Sequence, residues 1–95
     1  MNIPEWMTRQ AVAAGVSAAL ELDGRVVSGL LPVSDWRFSG ETASASVTFG
    51  PFAQKVSASG VRLVVDDAVS VEAFGSLLTM PAGQTFRADV SIGVA

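Results

Sequence analysis

The sequence predicts an all-β fold, a β-sandwich or barrel-like antiparallel meander, with one short α-helix at its N-terminus. Three observations carry this reading. Apolar residues recur with a period near 3.6 up to Gly15 and with a period of 2 from Val16 onward. An Asp23-Gly24 pair stands between two alternating runs, VSAALEL and RVVSGLL, and Asp-Gly in that setting is a strong hairpin signal. The stretches TASASVTFG and TFRADVSIGVA alternate inward-type and outward-type residues along their length. Ninety-five residues suit one domain, with a helix or arm over 1–15 and an antiparallel β domain over 16–95.

Asn2 is a good cap, Pro4 suits the first helical turn, Glu5 suits the positive end of the helix dipole, and Gly15 suits the stop. Ile3, Trp6, Met7, Gln10, Ala11 and Ala14 fall on one helical face. A helix of this length does not stand alone in water. It must pack on its own domain or on a partner.

Folding the next segment on Asp23-Gly24 sets Leu22 opposite Arg25, Leu20 opposite Val27, Ala18 opposite Gly29 and Val16 opposite Leu31. PVSDWRFSGE follows as a loop-like segment that holds Val33, Trp36 and Phe38 among turn residues. In the meander reading, Gly50-Pro51 and Ser59-Gly60 are two-residue turns. Ala45 then meets Val56, Val56 meets Leu63, and Phe49 meets Phe52. Asp66 to Met80 fits a strand through Val69, Val71 and Ala73, while Asp67 offers a competing helix cap; the valines favour the strand. MPAGQ is a turn, and the last strand points Phe86, Ala88, Val90, Ile92 and Val94 inward.

Composition narrows the chemistry. The formal charge of −3, with six scattered Lys and Arg, argues against a nucleic-acid partner, which wants a clustered basic face. The chain has no His, Cys or Tyr, so imidazole, thiolate and phenol chemistry are absent. No catalytic serine motif, phosphate loop or cofactor motif is present, and neither an enzyme nor a cofactor is expected. Asp66-Asp67 with Glu72 is the densest acidic cluster, but adjacent strand residues point to opposite faces, so it reads as a turn, not a calcium or other metal site. Glu5, Thr8, Arg9 and Gln10 interrupt the apolar start, so neither a signal peptide nor a membrane span is expected.

Two groups remain as candidate contact residues. Ile3, Trp6 and Met7 make a compact apolar anchor on the helix, and Trp36, Arg37 and Phe38 make a second patch in a loop-like segment. The competing reading of the second patch is that Trp36 and Phe38 close one end of the core with Arg37 outward. The Ser/Thr face of TASASVT is either a flat recognition surface or a solvated sheet face.

The Ala/Val/Ser-rich strands TASASVTFG and TFRADVSIGVA, together with the amphipathic start NIPEWMTRQA, resemble the small virion proteins of tailed bacteriophages, such as head decoration (cement) proteins and short neck or tail components. The likeness is one of architecture and texture and transfers no individual residue. It implies a repeated, non-enzymatic protein, assembled in the host cytoplasm into a virion, that contacts copies of itself and a capsid or tail protein. The alternative is a free-standing β-sandwich module that binds carbohydrate or peptide through a concave aromatic patch around Trp36 and Phe38.

Overall fold

The helix begins and ends on the residues the sequence marks for it. In the computed structural model, which describes residues 1–93, helix α1 (Ile3–Ala14) is capped by Asn2, whose Oδ1 accepts the Glu5 N–H at 2.8 Å. Gly15 ends it in a positive-φ conformation. Eight strands follow: β1 (Val16–Leu22), β2 (Arg25–Val26), β3 (Leu31–Val33), β4 (Arg37–Ser39), β5 (Thr42–Phe49), β6 (Val56–Val65), β7 (Ala68–Met80) and β8 (Phe86–Gly93).

The strands form two antiparallel sheets. One runs β2-β1-β6-β7, with β3 also pairing β1; the other runs β4-β5-β8. Val16, Ala18, Leu20, Val61 and Leu63 of the first sheet meet Ala45, Val47, Phe49, Ala88 and Val90 of the second in one apolar core. The architecture is therefore a small all-β sandwich with one helix, and β5 shows a strict buried/exposed alternation. β8 turns Ala88 and Val90 inward as predicted; the inward assignment of Val94 lies outside the described residues.

The meander is the main correction. β5 pairs with β4 and β8, not with β6, so Ala45 faces Val90 and Phe49 faces Phe86. The inward pattern of β5 specifies which face is buried but not which neighbour lies beside it, and Val90 satisfies Ala45 as well as Val56 does. Gly50 does take the positive φ expected of it, but it opens a longer loop, not a two-residue turn. That loop sends Phe52 into the core, and the Phe52 backbone pairs with Gln84 and Gly83 of the turn before β8.

Ser59-Gly60 is likewise not a turn, because β6 runs straight through it. A Cβ at Gly60 would lie 2.7 Å from the Glu72 carbonyl oxygen. Glycine is there for the close approach of β7, beside a bulge between Ala58 and Gly60. The actual turn is Asp66-Asp67, which joins Val65 to Ala68 with Asp66 at positive φ. The strand reading of 68–80 holds.

The Asp23-Gly24 turn forms with both residues at positive φ, and Leu22 faces Arg25. Farther from the turn the predicted register slips by two: Ala18 faces Leu31 and Val16 faces Val33. The extra residues bulge between β2 and β3. There the Val27 N–H donates to the Leu20 carbonyl at 2.9 Å and the Leu20 N–H donates to Ser28 Oγ at 2.8 Å. A hydroxyl replaces a carbonyl in the ladder, and a slip of two keeps every side chain on its face.

Candidate functional site

Helix α1 lies against the end of the sandwich where β5 begins and β8 ends. Its seat is made by small and polar residues. Thr8 is 1% exposed, and its Oγ1 donates to the Glu41 carbonyl at 2.6 Å. Pro4, Glu5, Ala11 and Val12 surround it on the half-buried side. At 3.6 residues per turn these positions lie opposite Ile3, Trp6, Met7 and Gln10. The predicted apolar face is thus turned away from the domain: Ile3 is 72% exposed, Trp6 54% and Met7 46%. Of that face, Ala11 alone is half-buried, at its border. Thr8→Val keeps the shape of the seat and removes its donor; it is expected to lower stability by about 1 kcal/mol, read as a lower urea midpoint at unchanged slope.

The second predicted group divides. Trp36 is half-buried against the core, and its Nε1 donates to the Val33 carbonyl at 3.3 Å. Arg37 and Phe38 are exposed on β4. The Arg9 guanidinium stands 4.3 Å from the centre of the Phe38 ring, a cation–π contact that joins α1 to β4. The sequence marks Arg9 and Thr8 as polar interruptions of the apolar start, not as contact residues. Their partners, Phe38 and the Glu41 backbone, lie about a third of the chain away, and no local pattern pairs them.

The Ser/Thr face of β5 is concave and carries charges of both signs. Asp35, Arg37, Ser44, Ser46, Arg87 and Asp89 line an open hollow of about 430 Å³. Within it Ser46 Oγ donates to Asp89 Oδ1 at 2.7 Å and accepts from Arg87 Nη2 at 3.0 Å. Two acids balance two arginines, and Ala45 is the one apolar lining residue. Small-molecule sites are mostly apolar and enclosed; this hollow is a solvated charge network. Among the described residues no group of three or more acids is placed to hold a metal ion. Among those same described residues no helix is long and apolar enough to cross a membrane. No protein-family model matches the chain, and neither a curated protein nor a solved structure shows a match to it.

Proposed function

We propose that this chain is a non-enzymatic structural protein of a tailed-phage virion, decorating or stabilising a capsid or tail lattice through protein contacts. The observation that carries the proposal is the orientation of α1. A capped helix is held to the domain by its Thr8 side while Ile3, Trp6 and Met7 face outward together. Tryptophan is the residue type most enriched at the centres of interfaces. A protein held in many copies gains avidity from weak individual contacts, so a small anchor is sufficient. The carbohydrate or peptide module has less support, because Trp36 is half-buried with its N–H engaged and Phe38 is covered on one side by Arg9.

Trp6→Ala separates docking from core. Exposed as Trp6 is, its truncation is expected to change the stability of the isolated chain by about 0.5 kcal/mol or less. Incorporation into assembled particles is expected to fall at least about tenfold, the equivalent of roughly 1.4 kcal/mol. Normal incorporation of the variant would overturn docking through α1. Absence of the unaltered chain from purified particles would overturn the virion reading itself.

A further inference from the structure

Among the described residues the two sheets have four edges, one of them shared by β2 and β3, and three are blunted. β2 is two residues long and carries Arg25, and β3 contains Pro32. β4 is three residues long with Arg37 outward, and β8 carries Arg87 and Asp89. Short length, proline and outward charge are the features that stop an edge from pairing with another chain. Over residues 68–73 β7 is neither short nor interrupted by proline, and its one charge there, Glu72, lies on the opposite face of the strand from Val69 and Val71. It ends the sheet beside β6, has no Pro or Lys, and leaves Val69 and Val71 56% and 49% exposed.

The direction of its free hydrogen-bonding groups follows from the turn. The pair that flanks a two-residue turn exchanges backbone hydrogen bonds, and such pairs alternate along an antiparallel ladder. Val65 and Ala68 flank Asp66-Asp67, so Ala68, Ser70 and Glu72 bond to β6. The other hairpin gives the same parity. Leu22 and Arg25 flank Asp23-Gly24, so Glu21, Ala19 and Ser17 bond to Gly60, Arg62 and Val64, which leaves Val61, Leu63 and Val65 for β7. Val69, Val71 and Ala73 therefore aim their N–H and C=O groups out of the sheet.

We infer that the β7 edge pairs with the same edge of a second copy, antiparallel, with Val71 on the two-fold axis. This register sets Val71 against Val71 and Val69 against Ala73. Each of the three bonded pairs exchanges two hydrogen bonds, so all the outward groups of these residues are used. Moving the axis two residues along the strand, to Val69 or Ala73, would pair Val71 with Asp67 in the turn or with Gly75 at positive φ. An axis at Glu72 would oppose two like charges and point the bonding groups the wrong way. The Val71 register sets Glu72 opposite Ser70, with no like charges facing each other. Val69 and Val71 share their face with Val64 and Arg62 across the ladder; Val64 lies beside the valines, and the Arg62 guanidinium opposite Val71 is engaged by Glu21. The occupant is a second copy because the edge complements itself in hydrogen bonding, charge and side-chain face. This inference stands apart from docking through α1, which uses a different surface.

Sedimentation at chain concentrations up to about 1 mM tests it, since an interface this small belongs to the weak class. The unaltered chain is expected to show reversible dimerisation. Val71→Pro removes an N–H that points out of the sheet, so the fold persists while the dimer weakens roughly 30-fold, the loss of two net hydrogen bonds. Val71→Lys, on an exposed side chain, sets two like charges across the axis and is expected to give monomer with an unchanged circular dichroism spectrum. Amide exchange at Val69, Val71 and Ala73 is expected to slow as concentration rises. A chain that stays monomeric throughout, or a dimer that Val71→Lys leaves intact, would overturn the inference. So would protection of these amides only when a foreign protein is added.

Discussion

Replacing Phe49 with alanine is expected to cost about 3–5 kcal/mol, the range for deleting a large buried aromatic ring. Phe49 is 1% exposed and is the largest of the fully buried side chains. It ends β5 at the edge of the core, faces Phe86 across the ladder, and Phe86 in turn meets Phe74 edge-on at 5.5 Å. The cross-strand partner of Phe49 is thus itself packed against β7, and the loss of the Phe49 ring leaves a void in the core. At about 0.05–0.15 kcal/mol per residue, a domain of this size holds roughly 5–14 kcal/mol in all. The variant loses a large fraction of that. Its melting temperature should drop by about 12 °C or more, at 4–8 °C per kcal/mol. Phe38→Ala, which truncates an exposed ring, serves as the contrast and should lie within about 1 kcal/mol of the unaltered chain.

The second large effect is expected at Arg62. Its Nε and Nη2 donate to Glu21 Oε1 at 2.9 and 2.6 Å, and Nη2 also donates to the Gly24 carbonyl at 3.0 Å. The Glu21 side chain is 8% exposed and that of Arg62 26%. Arg62→Met leaves a buried carboxylate with no cation and should cost about 3 kcal/mol, the low end for a broken buried pair because Arg62 still meets solvent. Glu21→Met combined with Arg62→Met should recover most of that loss, since two apolar side chains replace two desolvated charges. The coupling energy from a double-mutant cycle on urea midpoints measures the pair. A near-zero coupling would show that the Gly24 contact, not the ion pair, holds Arg62. The same corner contains Ser59, whose Oγ accepts the Asp23 N–H at 3.1 Å, so the hairpin turn is tied to β6 from both sides.

These two sites also show what was legible in the sequence and what was not. Phe49 could be read as core from the alternation of TASASVTF alone, because a period of 2 states the face directly. The caps at Asn2 and Gly15, the Asp23-Gly24 turn and the strand character of 68–80 were equally local, and they were found. Glu21 and Arg62 stand 41 residues apart, and each looked like an ordinary outward residue of its own strand. Their pairing depends on β1 lying next to β6, which no local pattern encodes. The helix failed the usual expectation in a different way. Its apolar stripe was correctly identified, yet the domain holds the opposite side through Thr8. A backbone carbonyl at Glu41 offers a hydrogen bond and little apolar surface, so a small polar seat fits there. The candidate contact residues were visible as types; their grouping around α1 and β4 was not.

The order of strands in the two sheets has a kinetic consequence. Only β1-β2, β4-β5 and β6-β7 are closed by short turns. β1 must wait for β6, and β5 must wait for β8, which comes near the end of the described chain. The β5-β8 pairing therefore forms over a longer separation than the hairpins do. Loop closure over such distances must precede any reward from packing, which places folding of this chain in the millisecond-to-second range typical of sandwiches. The valine-rich β6-β7 hairpin, closed by its own two-residue turn, is expected to form ahead of those pairings and to do so with its outer edge open.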